Sequence, residues 1–245
     1  MDIHKPKAAH NWREFLAEIG TIVCGILIAL GLEQVVEARH WAEVVHEAKH
    51  SIHDELALAS VFGEERRARL SCADDYLKVL AQAVVESPAQ WKPRPVDYCG
   101  VPHDTIYAGR WRPWPTEVWH GIEAAGVVPH FDAHYRAQAP FTFGFVGEIG
   151  VLSEEESRRA TELEPLAYPL ILSPETKAGL LKSIAALRLM NQRAAAYSLN
   201  LDGQIADLGE TPSKAELQHW RNEVPYLFAG PGKLLNTSDA PPPRH

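Results

Sequence analysis

The sequence predicts an all-α protein: an N-terminal transmembrane helix running into a long helix, followed by a helical bundle domain. Three observations carry this expectation. An uncharged apolar run occupies residues 19–32. No proline occurs between Pro6 and Pro88, so a helix that enters the run meets no breaker for some eighty residues. Beyond the proline-rich middle, apolar residues recur at steps of three and four, and strand alternation is scarce.

The anchor comes first. Fourteen uncharged residues of helix reach only about 21 Å, short of a hydrocarbon core of about 30 Å. With Glu18 and Glu33 at the two headgroup levels, the apolar stretch widens to residues 15–36, roughly 33 Å of helix. Trp12 and Trp41 bracket it, as interfacial aromatic belts do. A cleaved signal peptide is the competing reading: Lys5, Lys7 and Arg13 form a basic start, and Ala29-Leu30-Gly31 resembles a small-residue cleavage site. Glu14 and Glu18 interrupt that pattern, and no helix breaker separates the run from Glu33 onward. Orientation follows positive residues. Lys5, Lys7 and Arg13 precede the span against Arg39 and Lys49 after it, a slight bias that predicts residues 1–14 as a cytoplasmic N-terminus and a domain that is periplasmic or otherwise extracytoplasmic.

Small residues Ala17, Thr21, Gly25 and Ala29 follow one another at i+4. They form a helix-packing face suited to a homodimer through the anchor, because small side chains let backbones approach closely. Val45, Ile52 and Ala59, spaced by seven, extend that contact outside the bilayer in this reading.

Residues 37–87 read as a juxtamembrane long helix. Leu70, Ala73, Leu77, Leu80 and Val84 form its apolar stripe, Gly63 marks a candidate break, and Ser87-Pro88 ends it. Glu64, Glu65, Arg66, Arg67 and Arg69 read as a solvated face of mixed charge. Residues 88–115 form a Pro/Trp-rich loop whose tryptophans, Trp91, Trp111 and Trp114, are expected to cover the core.

Residues 116–228 are expected to form the bundle. Ser153-Glu154-Glu155-Glu156 reads as a capping box. Ser173-Pro174 and Thr211-Pro212 each place a cap before a proline at a helix start. Leu180, Ile184, Leu187, Ala194, Leu201, Ile205 and Leu208 trace an amphipathic helix of some thirty residues, stopped by Gly209. Phe141 to Phe145 alternates as a strand would, but the run is short and is equally open to a helical reading. Residues 229–245 read as a disordered tail.

Composition narrows the function classes. The 245 residues carry a formal charge of −8, against nucleic acid as a partner, because phosphate binding needs a basic surface. Of three cysteines, Cys24 lies in the apolar run; Cys72 and Cys99 show no CxxC spacing, so zinc and thioredoxin-like chemistry are unsupported. In an exported domain the pair is a candidate disulfide.

The residues Trp12-Arg-Glu-Phe-Leu, Gly25-Ile-Leu-Ile-Ala-Leu, Glu33-Gln34, Trp41 and Asp54-Glu55-Leu56 resemble the start of a group of uncharacterised bacterial single-pass membrane proteins. The resemblance covers about the first 60 residues, with Trp119, Gly126 and Tyr135 similar further on. It implies anchor, export and a helical domain, and it lends no catalytic residue.

His46-Glu47-Ala48-Lys49-His50 matches HExxH, in which two histidines one helical turn apart hold zinc and the glutamate activates its water. Lys49 puts a cation inside the metal-binding turn, no third ligand is singled out, and the flanking sheet of such enzymes is absent from the pattern. His53 would complete a noncatalytic set with His46 and His50. His130 and His134 flank Asp132 in a second such spacing. No GxSxG and no phosphate-binding glycine loop occurs. The expectation is therefore a non-enzymatic scaffold, partner-binding or sensing module without a cofactor, a protein partner of unknown identity, and the bilayer itself. A membrane-tethered zinc metalloprotease is the alternative.

Overall fold

The computed structural model describes residues 12–93, Tyr107 and residues 112–224. Helix accounts for 84% of it, in five α-helices. They are α1 (Trp12–Glu86), α2 (Glu117–Ala124), α3 (Ala133–Thr161), α4 (Pro174–Leu208) and α5 (Lys214–Glu223). Two short 3-10 turns, Val128–His130 and Glu164–Ala167, lead into α3 and follow it. Strands β1 (Gln90–Trp91) and β2 (Leu170–Ile171) pair antiparallel, Gln90 opposite Ile171. The all-α class holds. The chain divides into two compact units, the first ending at Ala48 and the second beginning at Lys49, so the bundle takes in much of the stretch read as juxtamembrane helix.

The N-terminal part of α1 is long and apolar enough to cross a membrane. Its large side chains from Phe15 to Val36 are all exposed.

In the second unit α1 contributes a continuous buried stripe. Ile52, Leu56, Ala59, Ala73, Leu77, Leu80 and Val84 are buried at the three-and-four spacing that keeps one face inward. Ile52 and Ala59 are therefore enclosed by their own chain, which corrects the expectation that they extend a contact between anchors. Against the lower part of the stripe lie Leu163, Leu166, Leu180, Ile184 and Leu187, with Trp91 and Tyr107.

Two local expectations are corrected, and a third, left open, is decided. Gly63 is no break: α1 runs through it unbroken. A Cβ there would lie 3.1 Å from the Ser198 Cβ of α4, so the glycine serves a close helix crossing. Ser153 to Glu156 lies inside α3, not at a helix start; its serine and glutamate face inward, as described below. Phe141 to Phe145 is helical too, the two rings meeting edge to face across one turn of α3.

Both ends of α4 form as read, while the start of α5 is corrected. Ser173 caps α4 through its side chain, with Pro174 in the first turn. Gly209 closes α4 with φ of 85°, a left-handed conformation that favours glycine. At α5 the cap falls one residue past Pro212: Ser213 accepts from the Glu216 N–H while Glu216 accepts from the Ser213 N–H, a capping box. Lys177 of α4 donates to the carbonyls of Val85 and Ser87, tying down the end of α1.

Candidate functional site

The segment leading into α2 is fastened to the bundle by buried charge. Arg66 projects from α1 and is buried. It donates to Glu156 and, at 2.7 Å, to the Ser153 hydroxyl, both on α3. The other oxygen of Glu156 accepts from the Tyr107 hydroxyl at 2.8 Å, and Asn191 of α4 donates to that hydroxyl at 2.6 Å. The Trp114 indole donates to Ser153 at 3.1 Å. The preceding residue, Glu65, accepts from Arg112 at 2.6 Å and lies 2.6 Å from Arg69, while the Arg112 guanidinium stacks over the Phe62 ring. Glu65 and Arg66 are thus interior residues, which corrects the reading of 64–69 as a solvated face. Burial works against the Arg66 charge, but Glu156, Glu65 and Tyr107 together outweigh it and raise the guanidinium's pKa. The chemistry is that of a lock: each carboxylate oxygen of Glu156 is filled by a donor, and α1, α3, α4 and the incoming segment share one network.

Glu55, also buried on α1, supplies a second fastening. Its two oxygens accept from the backbone N–H groups of Val118 and Trp119, at 2.9 and 3.0 Å. Thr116, the residue before α2, makes no side-chain cap bond, so α1 caps α2 from a distance. Burial raises the Glu55 pKa against the pull of those two N–H groups. Trp119, so held, stacks on Phe143 of α3 at 5.1 Å.

The HExxH residues sit elsewhere. His46, Glu47 and His50 are exposed on α1. His50 lies 3.4 Å from Asp54, and both ring nitrogens of His53 face carboxylates, Glu210 at 2.9 Å and Glu216 at 3.2 Å. Among the described residues no group of three His, Cys, Asp or Glu side chains is arranged to hold a metal. Asp132 caps α3 by accepting from the Tyr135 N–H and pairs with Lys49 at 3.0 Å, which together hold its carboxyl down to about 2. His130 belongs to the preceding 3-10 turn, and His134 contacts the Asp207 carbonyl at 2.8 Å, so these two do not share one helix.

Ala17, Thr21, Gly25 and Ala29 are exposed on one side of α1, with open space around Gly25; Thr21 returns its hydroxyl to the Ala17 carbonyl. Cys24 is free and exposed, and Cys72 is disulfide-bonded. Cys99 lies outside the described residues, as do Trp111 and residues 225–245. Trp91 and Trp114 are buried, as expected of core-covering tryptophans.

The Arg66–Glu156–Tyr107–Asn191 network was missed by sequence reasoning, although its signal is present. Arg66 falls between Gly63 and Leu70 on the α1 stripe, Glu156 between Ile149 and Ala160 on α3, and Asn191 between Leu187 and Ala194 on α4. Polar residues in the register of an apolar stripe must be buried and paired. Comparison with protein-family models, with curated proteins and with solved structures finds no match.

Proposed function

We propose that the chain is a non-enzymatic, membrane-anchored helical module that presents its bundle for partner binding or sensing on the periplasmic face of a bacterial inner membrane. The observation that supports the anchor is the exposure of every large apolar side chain from Phe15 to Val36, an arrangement that water disfavours and lipid accepts. The positive residues before this stretch support a cytoplasmic N-terminus. The reading of the bundle as scaffold, rather than enzyme, draws support from the mutual pairing of Arg66 with Glu156 and of Arg112 with Glu65.

Alkaline phosphatase fused after residue 224 is expected to be active, and a cytoplasmic fluorescent reporter at the same place dark. The reverse pattern would overturn the orientation. In the same reading Cys72 pairs with Cys99, so neither alkylates in non-reduced protein from native envelopes; label on both sinks the pairing. The small-residue face is proposed as the contact for a second copy. A membrane two-hybrid signal from residues 1–45 should fall sharply with Gly25→Leu, and an unchanged signal removes that face as the interface.

A further inference from the structure

α5 is docked in an unusual way for a bundle helix. None of its residues is buried, and its apolar pair, Leu217 and Trp220, is only half-buried. Charge does much of the holding. Arg221 donates through Nη2 and Nε to Glu64 of α1 at 2.6 and 3.0 Å. The second tie is His53 of α1. Its Nδ1 lies 2.9 Å from Glu210 Oε2, and its Nε2 lies 3.2 Å from Glu216 Oε1.

A carboxylate only accepts, and a neutral imidazole carries a single N–H. Only the doubly protonated ring can donate to both partners. Glu216 is also the residue that starts α5, since its second oxygen accepts from the Ser213 N–H at 2.7 Å. The group that grips His53 is therefore the one that holds the first turn together. The charged surroundings are fixed on every side. On α1, Lys49 is committed to Asp132 of α3, and Asp54 faces His50. From α3, Tyr135 brings its ring under Lys49 and its hydroxyl beside Glu210. Glu210 follows the Gly209 cap of α4, and Arg221 of α5 is committed to Glu64.

We propose that α5 is a pH-operated latch, docked on α1 while His53 carries both ring protons and loosened when the ring loses one. The lone pair so exposed faces a carboxylate oxygen, turning a charge-assisted bond into a repulsion. Imidazole is the side chain whose charge changes within the range cells use. Docking is thus held at mildly acid pH and lost as pH rises, and the loosened helix uncovers Leu217 and Trp220.

Hydrogen exchange of the full chain in lipid nanodiscs tests this. Protection of residues 214–223, corrected for intrinsic exchange, should fall about tenfold between about pH 5.5 and about pH 8, the size of one charge-assisted bond in the imidazole range. Protection of residues 194–208 of α4 should not change. His53→Gln should leave α5 weakly protected at every pH. Protection of α5 that ignores pH in the natural protein, or a step that survives in His53→Gln, overturns the latch. Should His53→Gln lose the α4 protection as well, nitrogen NMR of the His53 ring in the natural protein decides. A ring protonated on both nitrogens while α5 is protected supports the proposal, and a neutral ring with α5 protected ends it.

Discussion

Leu27 and Leu77 are the same residue in the same helix, yet Leu27 is 62% exposed and Leu77 fully buried. The two parts of α1 differ in how their apolar residues are arranged. Around Leu27 the apolar side chains point to all sides of the helix, as a lipid-facing surface requires. Around Leu77 the buried apolar side chains keep to one stripe, with Asp75, Lys78 and the exposed Val79 on the remaining faces, as a helix half in water requires. One uninterrupted helix thus carries two patterns, apolar all round in its first part and apolar along one stripe in its second. The rule of reading changes along it: in the first part total apolarity matters, in the second the phase of each residue does.

The comparison is broken most sharply by charge. Glu156→Ala leaves Arg66 buried without its partner and should destabilise the bundle by about 3–5 kcal/mol, read as the urea midpoint of the detergent-solubilised chain. Glu33→Ala, on the exposed part of α1, should leave that midpoint unchanged. Equal effects would show that interior and exterior have been misassigned. Truncation comes next. Leu77→Ala should cost about 2–5 kcal/mol through lost burial and a cavity, while Leu27→Ala should not move the urea transition.

A smaller effect is expected at Asp74, which ties α1 to α4. Its carboxylate lies 2.6 Å from Arg188 and 2.7 Å from Lys78. Hydrogen bonds from Arg188 and then Lys78 hold its pKa down to about 2. A depressed carboxylate stabilises the fold above its ordinary range and gives that up as pH falls towards its folded value. Asp74→Asn should therefore cost about 1 kcal/mol at neutral pH, discounted for solvent screening, and progressively less from about pH 5 downward, the range over which acid removes such a contribution. A cost independent of pH would assign the contact to packing instead. The smallest effect is expected at Glu47, exposed on α1. Glu47→Gln should change neither stability nor any proteolysis of casein by the purified chain. Metal-dependent cleavage that vanishes in Glu47→Gln would establish the peptidase instead.

The extent of legibility follows the same division. The α4 stripe from Leu180 to Leu208, its cap at Ser173 and its stop at Gly209 were all readable, because period and cap are local properties. Gly63 was misread because its reason, the Ser198 side chain of α4, is 135 positions away in the chain (198 − 63). Glu65 and Arg66 were misread because a charged pair beside other charges has the composition of a surface; only their phase against Ile52, Leu70 and Leu77 betrays them. Ser153 to Glu156 has the letters of a cap, but helix α3 had begun at Ala133, twenty positions earlier (153 − 133), and tertiary packing of Ser153 and Glu156 overrode the local signal. The match at 46–50 had the letters of a metal site without a converging third ligand, which sequence spacing alone does not supply.

The Trp91 indole donates to a carbonyl 75 positions further along, that of Leu166, and the stripe of Leu77, Leu80 and Val84 is closed by Ile184 and Leu187. Time therefore enters the life of this protein. A ribosome adding ~5–20 residues per second needs about 5–20 seconds to travel from the end of α1 to the middle of α4. Throughout that interval the first helix offers a greasy, unclaimed flank to whatever else is near.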